Sequence, residues 1–231
     1  VDLGAEVKGA SCNIGDRIAR PDEFPPWIFR VRKGSLRLLF NSNEQNGVQT
    51  IKKIGPGDWV GLSNYLFGEP CEWVTASENT QLEAVKAEYI SELIWSDKEI
   101  LMQIIDLNHP HLALKALEIW LQHLPIMPTS VDSFLKDAIS SCILINLNNI
   151  SNEHHQLQDD YVIIGANHAS SYLGKKVNDL RSISIEKNKY NTPPLFLAVP
   201  KNIISKYRLS LDNCDIDKPG SVSANSSSIT N

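Results

Sequence analysis

Four consecutive residues, Gly55-Pro56-Gly57-Asp58, constrain this chain more than any other stretch. Proline fixes φ for the first corner of a tight turn and glycine accepts the left-handed second corner, so the backbone must reverse here. Val48–Ile54 on its N-terminal side reads as a strand. Asn41–Gly47 before it (NSNEQNG) is a run of turn-formers with no hydrophobic anchor, hence a hairpin loop. Upstream, Trp27–Phe40 (WIFRVRKGSLRLLF) reads as two strands about a Lys33-Gly34 turn, with Ile28, Val31, Leu36, Leu38 and Phe40 lining one face. Pro25-Pro26 impose an extended entry. Trp73–Ala76 and Leu82–Ala87 add two short strands. Strands of this length, punctuated by Gly and Pro, predict an antiparallel roll or sandwich.

The period changes after Glu88. Apolar residues at 90, 93, 94, 100, 101, 104 and 105 recur at helical spacing. Ala113, Ala116, Leu117, Trp120, Leu121 and Leu124 then form an i, i+3, i+4, i+7, i+8, i+11 stripe, with Pro110 in the first turn and Pro125 at the end. A further helix is predicted from Val131 to about Ser140, capped by Ser130 or Thr129. Strand signals return at Cys142–Leu147, Tyr161–Ile164, Ile183–Ile185 and Leu195–Val199, with polar loops between them. From Asp212 onward Ser, Asn, Asp and Gly dominate, the composition of a flexible linker or tail. The second β region echoes the first. Ile54-Gly55, Ser63-Asn64-Tyr65-Leu66 and Gly68 precede LEAVKAEYI, while Ile164-Gly165, Ser170-Ser171-Tyr172-Leu173 and Gly174 precede LFLAVPKNI. A diverged repeat or a chance likeness of short apolar words explains this equally well.

The chain has 231 residues and a net charge of −5 with pI near 5.7, which argues against a general binder of nucleic acid or anionic membrane. Cysteines 12, 71, 142 and 214 show no short spacing and read as independent thiols in a reducing, cytoplasmic setting. No stretch reaches the roughly 18 apolar residues of a membrane helix, and no signal pattern opens the chain. A start at Val1 without Met, with a polar C-terminal stretch, is what a piece of something longer would show.

The run FRVRKGSLRLLF, then IKKIGPGDWVGL, then WVTASENTQLEAVKAEYISEL resembles the cyclic-nucleotide-binding domain superfamily over residues 25–105. The likeness rests on Gly34 between strands, on Ile54-Gly55-Pro56-Gly57-Asp58-Trp59-Val60-Gly61, on the strand end at Ala76, and on a closing strand that enters helices. Family members that bind a cyclic nucleotide follow the Gly-Asp turn with a short helix whose N–H groups meet the phosphate. A Glu there takes the ribose, and an Arg about ten residues on pairs with the phosphate. Here Leu62 stands at the Glu position and Pro70 or Cys71 at the Arg position, flanked by Glu69 and Glu72. No Lys or Arg occurs between Lys53 and Lys86. The resemblance therefore implies the fold with a degenerate cassette. Gly61, Leu62, Ser63, Asn64 and Tyr65 are its candidate ligand-binding residues, and two carboxylates are expected to repel a phosphate. Another small molecule against Leu62, Ser63 and Tyr65 is the alternative.

Other candidates are weaker. His109-Pro110-His111 reads as polar residues at a helix start, and His154-His155 with Glu153, Asp159 and Asp160 as a solvated loop. Ser170-Ser171 beside His168 are too close in sequence to form a nucleophile–base pair, and no hydrolase elbow, P-loop or zinc-protease motif occurs. The expected architecture is α+β. Residues 1–100 form a cyclic-nucleotide-binding-like β-roll, 101–140 a helical connector, 141–211 a second β-rich unit, and 212–231 a linker or tail. The expected function is a non-catalytic regulatory or docking module, with no catalytic residues, metal or cofactor. Its partner is a linked effector, for which the layout of bacterial peptidase-containing ABC exporters is the analogy. A homodimer through the 111–124 helix and a Crp/Fnr-like transcription regulator are the rival expectations. The second lacks a basic recognition helix after Pro125.

Overall fold

In a computed structural model of the chain, residues 7–42, 44–45, 47–107, 109–146, 157, 159–178 and 192–209 are described, the side chains of 91 and 93–95 excepted. The strands are β1 (Lys8–Cys12), β2 (Arg17–Ala19), β3 (Trp27–Lys33), β4 (Leu36–Ser42), β5 (Gly47–Ile54), β6 (Trp59–Val60), β7 (Val74–Ala76), β8 (Thr80–Lys86), β9 (Ile143–Asn146), β10 (Tyr161–Gly165) and β11 (Leu195–Pro200). The helices are α1 (Leu62–Phe67), α2 (Ala87–Ser96), α3 (Lys98–Ile105), α4 (Pro110–Gln122), α5 (Val131–Ser141) and α6 (Lys201–Lys206).

Two four-stranded antiparallel sheets, ordered β1-β8-β3-β6 and β2-β7-β4-β5, enclose one core. Ile28 and Val31 come to it from one sheet, and Leu36, Leu38 and Phe40 from the other; all five are buried as expected. The Lys33-Gly34 turn joins strands of different sheets, because β3 pairs with β6 and β8 while β4 pairs with β5 and β7. It is a corner and not a hairpin. The β4–β5 hairpin closes through Ser42 opposite Gly47. Gly55-Pro56-Gly57-Asp58 makes the expected turn, with Gly57 at φ 94° and the Asp58 N–H donating to the Gly55 carbonyl at 3.1 Å. Sequence periodicity misses β1, β2 and β6. They are short, and Lys8–Cys12 (KGASC) has no alternation to read, so pairing with β8 alone makes it a strand.

The helical region divides at Asp97, whose carboxylate accepts from the Glu99 and Ile100 N–H groups and starts α3. Ser130 caps α5 as expected. The hairpin loop reinforces that cap, because the Glu44 carboxylate accepts from the Val131 N–H. The apolar stripe of α4 is entirely core: Leu112, Ala116, Leu117 and Trp120 are fully buried within this one chain. The expected homodimer seam on 111–124 is therefore corrected, since its apolar face is already covered.

Strands β10, β11 and β9 form a third antiparallel sheet in that order. Leu195, Leu197 and Val199 on β11 face the core shared with the roll and helices, while Phe196 and Ala198 face a small second cluster with Ile145, Ile163 and Val177. The repeat expectation meets a difference here. Ser63–Leu66 lie in a helix, whereas Ser170–Leu173 lie in turns and one isolated bridge, so the described residues of this region form a three-stranded sheet and no second roll. The strand-to-helix passage is common to both, from β8 to α2 and from β11 to α6. Ile183–Ile185, His154-His155 and the 212–231 tail lie outside the described residues. Among the described residues no helix is long and apolar enough to cross a membrane.

Candidate functional site

The cassette helix α1 follows Gly61, which sits at φ 105°, a conformation costly for any residue with a Cβ. A Cβ at Gly61 would also lie 2.7 Å from Ile28 Cδ1, so both backbone and packing demand glycine. The turn leaves backbone N–H groups pointing out of the start of α1. In this chain those donors are occupied from within. Glu72 Oε2 accepts from the Gly61 N–H at 2.5 Å and Oε1 from the Ser63 N–H at 2.9 Å. Glu72 is fully buried, and burial pushes its carboxyl up to about 7 against the pull of those N–H groups.

Asn64 locks the arrangement. Its Nδ2 donates to the Gly61 carbonyl at 3.1 Å, and its Oδ1 accepts from the Cys71 and Glu72 N–H groups at 2.7 and 3.2 Å. The other end of α1 is held by the segment after β10. Asn167 Nδ2 donates to the Leu66 carbonyl at 3.0 Å, the His168 N–H donates to the Phe67 carbonyl at 3.0 Å, and Asn167 Oδ1 accepts from the Leu195 N–H at 3.0 Å. The short helix is thus fixed at both ends by partners distant in sequence.

The five candidate residues take these places. Gly61 and Ser63 give their N–H groups to Glu72. Leu62 is buried in the core, Asn64 is consumed internally, and Tyr65 donates to the Pro25 carbonyl at 3.3 Å beside Phe24. The expected pair of repelling carboxylates needs correction. Glu72 lies inside and fills the donor site, whereas Glu69 is largely exposed with its carboxylate 3.3 Å from His168 Nε2. Cys71, near the position where the resemblance calls for Arg, is a buried thiol whose pKa is raised by burial first and by Glu72 second.

His109 and His111 stand at the start of α4 as expected, His109 as its N-cap, and the fold buries both. His109 Nε2 lies 2.5 Å from the Ile104 carbonyl and its Nδ1 lies 3.5 Å from Ser63 Oγ. Burial lowers His109 to about 4. His111 falls to about 3 through burial, with His109 and Lys52 adding to the shift. Nothing local in the sequence marks the roles of Asn167 or Glu72. The one available signal was an acidic residue inside the apolar run Cys71–Ala76.

Neither a protein-family model nor a curated protein matches the chain. Solved structures of cyclic-nucleotide-binding domains and related regulators do resemble it. One is the regulatory subunit of a cAMP-independent protein kinase A from Trypanosoma brucei, 17% identical, with 43% of this chain and 37% of that chain covered and a TM-score of 0.36. Another is a transcriptional regulator from Thermotoga maritima, 20% identical over 42% of this chain and 76% of that one, TM-score 0.35. A third is a cyclic nucleotide-binding domain from Methylobacillus flagellatus, 16% identical over 42% and 59%, TM-score 0.36. Each of these matches covers less than half of this chain.

Proposed function

We propose that this chain is a non-catalytic regulatory or docking module whose cyclic-nucleotide cassette is closed by its own side chain. The observation that carries this reading is the Glu72 carboxylate on the Gly61 and Ser63 N–H groups. A phosphate would have to displace a buried carboxylate already holding those donors, with no cation among the cassette residues to pair with it. Once Glu72 is ionised, like charge in a low-dielectric site opposes entry as well. The output passes to a linked effector in the cytoplasm, and the Ser/Asn-rich stretch 212–231 suits a tether. The layout of bacterial peptidase-containing ABC exporters is the setting we infer by analogy of fold.

Thermal-shift titration with cyclic AMP and cyclic GMP tests the closed cassette. The expected result is an unchanged midpoint. Stabilisation by several degrees at modest concentration would overturn the reading. The double variant C71R/E72A sharpens it, because opening the donors and adding a guanidinium should create nucleotide-dependent stabilisation that the parent lacks.

A further inference from the structure

A pocket of about 430 Å³ lies away from the cassette, between the α3–α4 junction, the C-terminal end of α5 and strands β5, β9 and β11. Its floor is buried and mainly apolar, formed by Ile105, Ala113, Ile139 and Leu197 with His109. The rim carries exposed Asp106, Ser140 and Ile143. A volume near 430 Å³ falls at the small end of the range that holds small organic ligands, about 300–1,000 Å³.

Lys52 lines this pocket, and a strand irregularity accounts for its direction. Leu38 pairs with Lys52 and Leu39 with Thr50, so Ile51 is an extra residue on β5. Such bulges re-aim side chains. Leu38 is core, and the residue opposite it shares its side of the sheet, so Lys52 is turned inward instead of to solvent. Among the described residues no carboxylate lies within ion-pair distance of the Lys52 ammonium. Its charge nonetheless reaches Cys142 on the pocket wall, where it lowers the thiol pKa as a minor contribution beside burial. Burial dominates at Cys142 and pushes its thiol up to about 12, so that wall group stays a neutral thiol. A half-buried cation beside an apolar pocket floor is partly stripped of water and gains from an anion placed beside it.

We infer that this pocket binds a small amphipathic carboxylate, its apolar body on the Ile105, Ala113, Ile139 and Leu197 floor and its carboxylate against Lys52. The inference is independent of the closed cassette. It concerns a different cavity and a different anion. His109 is nonetheless common to both, as a wall of the pocket and a neighbour of Ser63.

Calorimetric titration of the 231-residue chain with sodium octanoate, octan-1-ol and octylammonium chloride below their aggregation concentrations tests the inference. Octanoate should bind saturably at one site, more tightly than the alcohol. Lys52→Met should weaken octanoate at least about tenfold and leave the alcohol unchanged, corresponding to about 1.4 kcal/mol for the lost charge contact. Ser140→Trp, a substitution on the exposed rim, should block both ligands. Absence of saturable binding overturns the inference, as does equal octanoate affinity in the Lys52→Met chain. Preference for octylammonium, which would make Asp106 the recognising group, overturns it as well.

Discussion

Among the described residues, the start of α1 and the pocket at the α3–α4 junction treat an anion in opposite ways. At the start of α1 the backbone donors are satisfied by a carboxylate of the same chain, and both side-chain polar atoms of Asn64 bond the backbone on either side of it. Around the α3–α4 junction a lysine faces an apolar cavity with no partner among the described residues. A resemblance in sequence points to the first place, whereas unpaired charge and open volume point to the second. The contrast teaches that a donor site belongs to whichever acceptor the fold delivers. A covalently attached acceptor has an effective concentration that no free ligand matches.

If the cassette is held as described, Asn64→Ala should be the most damaging change. It strips partners from the Gly61 carbonyl and from the Cys71 and Glu72 N–H groups, all buried, and should cost about 4 kcal/mol in urea unfolding. A loss under about 1 kcal/mol would break the comparison, since the closure would then not be structural.

The Glu72 carboxyl offers a sharper probe. Its folded pKa of about 7 lies above the ordinary 4.5, so the folded chain holds this proton more tightly than the unfolded chain does. The stability it contributes is complete below pH 4.5 and disappears as pH rises through 7. The change is about 3 kcal/mol at roughly 1.36 kcal/mol per unit. Stability profiles of the parent and of Glu72→Gln should diverge across that window, with the parent falling more steeply. Parallel profiles would place the carboxylate in water.

His109, which lines the pocket and neighbours Ser63, and the nearby His111 act with the opposite sign. Their folded values of about 4 and about 3 lie below the ordinary 6.5, so the unfolded chain takes up protons first. Their stability is present above pH 6.5 and disappears as pH falls toward 4 and 3. Among the described residues His111 Nε2 has no hydrogen-bond partner, so His111→Leu should be tolerated near pH 7. At pH 4.5 it should spare about 2 to 3 kcal/mol of the acid loss. Acid denaturation identical to the parent would mean that His111 is not buried.

The smallest effect is the most diagnostic for the open pocket. Among the described residues Lys52 has no ion-pair partner to lose, so Lys52→Met should change stability by less than about 0.5 kcal/mol in the absence of ligand. A large destabilisation would reveal a partner for Lys52 and remove the contrast with Glu72.

Much of the roll was legible from local chemistry. The Gly55–Asp58 turn, the β4–β5 hairpin, the inward set from Ile28 to Phe40, the α4 stripe and the Ser130 cap all depend on residues a few positions apart, where steric restriction and periodicity act directly. β1 and β6 were not legible, because pairing rather than composition makes them strands. At the candidate site, the absence of a cation between Lys53 and Lys86 was written in the sequence. The whereabouts of Glu69 and Glu72 were not. Two acidic residues three apart look alike on paper, yet one reaches solvent and His168 while the other is buried against backbone donors.

By itself, then, the sequence determined where the chain turns, which residues are apolar enough to meet, and which charges the cassette lacks. Tertiary structure alone decided that Glu72 would fill the α1 donors, that Asn167 would close the far end of that helix from 101 positions away, and that an extra residue in β5 would turn Lys52 inward. The physical reason is range. Steric limits and side-chain period act between neighbours along the chain, whereas the burial of a charge and the identity of its partner depend on what distant segments place opposite it.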